Sequence, residues 1–390
     1  MINGYIRSDM KSKITTIPHL EEIKEIRRFE QTVLKETNIP IYDLSHWNAG
    51  EAYISLMMSQ YKAACSLNHF EYHYSYEFDN ELKQRIMYRL TRTSTPEYNC
   101  VLIHNSTAAI CCIADYLKKK NYKRICVIEP AYFSIYSCLL SFGLNVFKES
   151  IVLDENNKII FPYENIIKHK YDAVWITSPI FSTGIYFDEI SSIHYLAQKG
   201  VLLLIDESAS SPNHSLFHQL YSAENMIAIF SPHKYLSINS TKFAAIICPF
   251  SVSNYLEDWI DVFIGSLPMS SCMAIEHFMS SNFATCVDIH DNYVNNNLKI
   301  IKELCTIYPN NYYNGKETNY ITIRNKIIPF IDSLNKIDML KIMRSTHISF
   351  IPGYINGFSK DWGFCYRVNL TNNPSIIKHG LGRLFNFFWS

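Results

Sequence analysis

The sequence has no excess of charge of either sign: its 390 residues carry 36 lysines and arginines against 36 aspartates and glutamates. No basic stripe is clustered along it, so nothing in it would gather a nucleic acid or an anionic membrane, and small molecules are the expected partners. Long apolar runs are also missing. The stretch "VLLLI" at 201–205 falls far short of the roughly 18 residues that span a bilayer. The opening "MINGYIRSDMKSKITT" has no apolar core of a secretory signal, and the 11 cysteines, Cys111 and Cys112 adjacent among them, show no disulfide-framework spacing. A reducing, cytoplasmic setting is therefore expected. Neither a P-loop nor a G-x-G-x-x-G turn occurs, which removes the common nucleotide readings. The pairs His69/His73 and His214/His218 have helical i, i+4 spacing. Neither has a third ligand at a diagnostic spacing, so no metal site is expected.

What is present is apolar content of 48%, enough for a large core in one α/β domain with an appendage or in two domains. The first forty residues have helix-like charge patterning in "LEEIKEIRRFEQTVLKE", which reads as an arm or capping helix spanning 1–50. From about residue 98, short β-rich runs alternate with amphipathic segments: "NCVLIH", "AAICCIADYLKKK", "RICVIEP", "YFSIYSCLLSFG", "NVFKE", "DAVWITSP", "EISSIHYLAQKG", "VLLLID", "MIAIFS" and "FAAIICP". This alternation predicts a mostly parallel central sheet flanked by helices, in a large domain over 51–265. A long helical stretch, "CMAIEHFMSSNFATCVDIHDNYVNNNLKIIKELC", then leads to short strands in "NYITIRN", "HISFIPG" and "FCYRVNLT", a small α+β domain over 266–390. Polar or turn residues stand at the strand ends, where open α/β sheets place their ligands.

Lys234, in "IFSPHKYLSINSTKFAA", stands at such an end. A lysine buried among neutral groups has its amine pKa pushed down and can condense with an aldehyde. If that aldehyde is pyridoxal phosphate, the pyridine nitrogen needs a carboxylate, and Asp206, closing "VLLLID", is the candidate. Its phosphate needs donors at a helix start, for which "HNSTAAI" offers Asn105, Ser106 and Thr107, with Ser231 and Lys242 able to add to them. Tyr132 can hold the ring by its face, and Arg367, in "CYRVNLT", can take a substrate carboxylate. Taken singly, each has a plain alternative: a solvated lysine, a helix-capping aspartate, serine or threonine, a packed tyrosine, a surface-paired arginine. Their common order along the chain favours one cofactor site.

The succession "HNSTAAI", "EPAYFSIY", "SPIFSTGIYF", "IDES", "SPHKYLSINSTK", "YRVNLT" resembles the class I/II aminotransferases, the fold-type I pyridoxal phosphate enzymes, from about residue 40 onward. The resemblance implies Lys234 as Schiff-base and proton-transfer residue, Asp206 at the pyridine nitrogen and Tyr132 on the ring. It implies a phosphate cup of Asn105, Ser106, Thr107, Ser231 and Lys242, and Arg367 as carboxylate anchor for an α-amino acid. It also implies a homodimer in which Tyr72 or Tyr74 of "EYHYSYEFDNELK" reaches the partner's phosphate. The sequence departs from the family at Phe181 and Ala209, where two donors to the cofactor's phenolic oxygen usually stand, and at Lys242, which replaces an arginine. The expected activity is transamination. The departures keep elimination, cyclisation or decarboxylation as alternatives, with a non-catalytic protein of the same fold behind them.

Overall fold

The computed structural model describes residues 18–62, 73–93, 95–153, 158–187, 190–221, 225–239, 242–313, 315 and 318–389. Helix α1 (Pro18–Thr37) precedes a large domain. There strand β1 (Tyr98–Ile103), helix α2 (Ser106–Lys119), β2 (Ile125–Glu129), α3 (Phe133–Ser141), β3 (Val146–Ser150), β4 (Ala173–Thr177), β5 (Leu202–Glu207), β6 (Met226–Phe230), β7 (Ala244–Pro249) and α4 (Phe250–Phe263) follow in turn. The strands form one sheet in the order β1-β7-β6-β5-β4-β2-β3, with β7 antiparallel to both its neighbours and the rest of the sheet parallel.

Strand alternation explains why this sheet is buried on both faces. Within β1, Cys100 and Leu102 join one apolar core while Val101 and Ile103 join the other; within β5, Leu203 and Ile205 divide from Leu202 and Leu204 in the same way. A slip of one residue would exchange these sets, so the register is tightly specified. The register pairs Ile103 with Ala244, Phe230 with both Ala245 and Glu207, and Thr177 with Asp206. The ends of β1, β4, β5 and β6 and the start of β7 thus lie along one edge of the sheet.

Helix from Met269 to His277, a five-residue π-turn over Phe278–Asn282 and helix α5 (Phe283–Ile307) form the long connection expected from the sequence. Its early residues, Cys272 to Val287, pack in a sheet-domain core, and Val294, Leu298, Ile301 and Leu304 pack in a third core with β8 (Tyr320–Asn325), β9 (Phe364–Asn369) and α6 (Pro374–Trp389). Ile26 and Val33 of α1 and Leu44 belong to that third core too. Residues Tyr42–Asp43 pair in parallel with Ile348–Ser349, so the described N-terminal residues build the C-terminal domain. The strand expected in "HISFIPG" is only these two residues long; beyond it the Ile351 N–H donates to the Ser45 hydroxyl at 2.9 Å instead of to a strand carbonyl.

Residues 44–50 cross from the C-terminal domain to the large one, and their backbone is tied down at nearly every carbonyl. Ser45 O accepts from Arg367 Nη2 at 2.5 Å, His46 O and Asn48 O from Asn369 Nδ2 at 2.8 and 2.9 Å, and Trp47 O from Asn239 Nδ2 at 3.0 Å. Gly50 closes the strap: its N–H donates to Thr371 O at 2.8 Å, and a Cβ there would lie 2.5 Å from Asn373 Oδ1.

In the large domain the buried Lys83 ammonium lies 2.6 Å from the Glu257 carboxylate, side chains 2% and 6% exposed, joining the helix Asn80–Thr91 to α4. Burial pushes Glu257 up while Lys83 holds it down. Removing one partner strands the other charge. Lys83→Met is expected to cost about 3–5 kcal/mol in urea unfolding followed by tryptophan fluorescence, and Lys83→Met with Glu257→Leu to recover most of it.

Candidate active site

Strand β6 ends at Phe230, and a single helical turn, Pro232–Tyr235, follows, with proline at its first position where no N–H is missed. That turn aims Lys234 back over the sheet edge. Its amine lies 4.9 Å from the Tyr132 ring centroid, and both residues line a cavity together with Asp206, Phe181, Ala209, Trp47 and Tyr320. Burial pushes the Lys234 pKa below its ordinary value; the Asp206 carboxylate opposes this and Lys242 reinforces it.

The strand end "IDES" carries two adjacent carboxylates, and the alternation of β5 sends them to opposite faces. Asp206, 5% exposed, lines the cavity and accepts Ser208 N–H at 3.0 Å. Glu207 instead accepts Leu216 N–H at 2.7 Å, Phe217 N–H at 3.0 Å and the Ser215 hydroxyl at 2.9 Å, fixing the following helix; burial raises its pKa to about 7 against these donors.

The residues read as a phosphate cup occupy the neighbouring strand ends, outside the cavity's lining. Asn105 caps α2 by accepting Ala108 N–H at 2.9 Å. Ser106 and Ser231, each 1% exposed, have hydroxyls with no hydrogen-bond partner among the described residues. Thr107 and Lys242 are exposed. A buried hydroxyl without a partner is costly, so two of them at the ends of β1 and β6, the strands flanking β7, fit an anionic group such as a phosphate. Tyr72 lies outside the described residues. Tyr74 is 45% exposed and stacks on Tyr76 at 5.5 Å, away from this chain's cavity.

Phe181 and Ala209 both line the cavity. Three neighbours could supply the donors they lack. His233, pushed down to about 4 by burial, holds the Phe243 carbonyl through Nδ1 at 2.7 Å, and Ser210 donates to Ser211 O at 3.2 Å. Ser208 differs: it lines the cavity, is 6% exposed, and its hydroxyl has no partner among the described residues, as is true of the Thr177 and Ser182 hydroxyls beside it.

Arg367 is 2% exposed at the centre of β9 and does not itself line the cavity. Its guanidinium carbon lies 4.0 Å from the Trp47 ring and 5.0 Å from the Tyr320 ring. Nη2 donates to Ser45 O, and Nε has no partner among the described residues. Trp47, Thr318, Asn319 and Tyr320 were not singled out from the sequence. Asn319, 1% exposed, donates from Nδ2 to the Lys234 carbonyl at 2.5 Å, so the C-terminal domain reaches the lysine directly. "TNY" just before a strand and a tryptophan in a loop are the signals available, and neither has a periodicity that points to a site.

No protein-family model matches the sequence, and no curated protein matches it. Solved structures do match its fold. An aspartate aminotransferase from Thermotoga maritima superimposes with a TM-score of 0.76 at 14% identity, over 98% of this chain and 100% of the other. The chain has the aminotransferase fold. An alanine aminotransferase from Pyrococcus furiosus gives the same TM-score of 0.76, at 14% identity, over 98% and 100% of the two chains. A PLP-bound protein from Clostridium difficile 630 gives 0.69 at 16% identity, over 92% and 95%. The architecture is thus the fold-type I one expected from the sequence, with the mostly parallel sheet and the smaller C-terminal domain.

A depressed amine pKa has a consequence for stability. Between the lowered folded value of Lys234 and the ordinary 10.5, the unfolded chain binds more protons at this position than the folded one, so folding stability rises with pH across that window. Wild-type protein without added cofactor should therefore gain stability over Lys234→Ala as the pH rises toward the ordinary lysine value in urea unfolding. An unchanged difference would mean the amine is solvated.

Proposed function

We propose that the protein is a pyridoxal phosphate-dependent enzyme acting on an α-amino acid, most simply an aminotransferase. The observation that carries this is the meeting, in one cavity at the C-terminal edge of a mostly parallel sheet, of a desolvated Lys234 amine, the Asp206 carboxylate and the Tyr132 ring. The aminotransferases sharing the fold add support.

Lys234 would capture the cofactor covalently, its depressed pKa keeping the amine nucleophilic. Asp206 would hold the pyridine nitrogen, and Tyr132 would cover the ring. Ser106 and Ser231, with Asn105, Thr107 and Lys242, would take the phosphate. Pyridoxal phosphate supplies an electron-accepting ring when bound. The Lys234 amine would also be the group placed to move the proton at the substrate's Cα. Arg367 would anchor the substrate carboxylate.

Elimination, cyclisation or decarboxylation is a second reading, favoured by Phe181 and Ala209 facing the cavity where two donors to the phenolic oxygen usually stand. Ser208, like Thr177 and Ser182 in the same cavity, has a hydroxyl left to donate. A cytoplasmic homodimer belongs to the same proposal. Exposed Tyr74 and Tyr76 support it together with Val262 and Phe263, 75% and 66% exposed on the turn of α4 that holds Ser75 through Asp261.

Purified protein with pyridoxal phosphate should become labelled at Lys234 on borohydride reduction, and Lys234→Ala should abolish the label; peptide mass mapping reads this, and a label on another lysine contradicts the assignment. In the pH titration of the bound cofactor's visible band, Phe181→Asn with Ala209→Tyr should lower the transition by about one unit or more, and Ser208→Ala should raise it.

A further inference from the structure

Trp47 packs on Arg367, the residue read above as the carboxylate anchor. Its ring lies 4.0 Å from the Arg367 guanidinium carbon, close enough for a cation–π contact, and edge-on to Tyr320 at 5.2 Å and Tyr132 at 6.2 Å. It lines the cavity that holds Lys234, yet it remains 39% exposed. A large aromatic ring on a connecting strap would ordinarily be mobile. Here the backbone beneath it is fixed from both domains: Trp47 O accepts from Asn239 Nδ2 at 3.0 Å and from the Tyr320 hydroxyl at 3.3 Å, and the flanking carbonyls are held by Arg367 and Asn369. Arg367 is thereby constrained on two sides. One N–H group is committed to Ser45 O, its face is covered by the indole, and its Nε–H, buried and without a partner among the described residues, remains. A guanidinium whose face is covered can bind an anion only along its edge, where its N–H groups point.

We propose that Trp47 is the substrate-positioning wall of the Arg367 subsite: it holds the guanidinium so that a carboxylate binds along the edge, and it forms the surface against which the substrate lies between Arg367 and Lys234. This rests on the reading of Arg367 as carboxylate anchor in the proposed function. It identifies as ligand a carboxylate whose adjoining apolar body packs on the indole. Trp47 acts through Arg367, so the two residues should be energetically coupled, whereas a purely structural tryptophan would lower stability without coupling to ligand binding.

The test uses the full chain with pyridoxal phosphate added and 3-phenylpropanoate as probe, a carboxylate with no amine to react, titrated by calorimetry. Trp47→Ala and Arg367→Lys should each weaken binding about tenfold or more, Trp47→Phe should stay within about threefold of wild type, and the double variant Trp47→Ala/Arg367→Lys should be no more than about twofold weaker than Arg367→Lys alone. Borohydride capture at Lys234 in each variant verifies that the site is folded. With capture intact, unchanged binding by Trp47→Ala, fully additive effects, or no binding of the probe to wild type overturns the role of Trp47. Loss of capture in wild-type protein instead overturns the proposed function on which it rests.

Discussion

The arrangement depends on the two-residue periodicity of the strands. Because successive side chains must enter opposite cores, the seven strands can pair in only one register, and that register decides which strand ends are level with one another. Asp206, Thr177, Ser231 and the segments around Ser106 and Lys242 come to one edge for this reason. None of them contributes to the force that brings them there. The sheet is stabilised by burying apolar surface on both faces, and the polar ends are carried along at the rim.

A second constraint is the strap at residues 44–50. Its carbonyls are claimed by residues from both domains, so the wall it presents to the cavity is set by the packing of the domains against each other. Asn319 and Tyr320 come from the opposite direction to the same place. The lysine and carboxylate sit on the rigid sheet, while the groups facing a substrate belong to the C-terminal domain and the strap. Under the proposed function, that division would separate cofactor chemistry from substrate choice.

Much of this could be read from the sequence. The strands, their alternation with helices and the choice of Asp206 and Lys234 follow from apolar periodicity and from polar residues at strand ends, both local signals. Phe181 and Ala209 were singled out only through the family resemblance, and both line the cavity. Trp47, Asn319 and Tyr320 were not legible. Their importance comes from contacts with residues far away in the chain, such as the Asn319 amide on the Lys234 carbonyl, and neither propensity nor spacing encodes such contacts. The burial of Arg367 under Trp47 is of the same kind. The adoption of α1 into the C-terminal core was hidden as well, since an amphipathic helix states that it has a partner without saying which.

That last feature bears on how the molecule is assembled. The C-terminal core takes Ile26, Val33 and Leu44 from one end of the chain and strands and helices from the other, and Ser45 meets Arg367 across a separation of 322 residues. Topologically, the sheet domain is an insert within the smaller one. Closing the smaller domain first would carry the loop-closure entropy of the whole intervening chain, a cost that prior collapse of the sheet reduces. A ribosome-bound chain lacking its last hundred residues could thus bury its sheet but would leave α1 without a core to join.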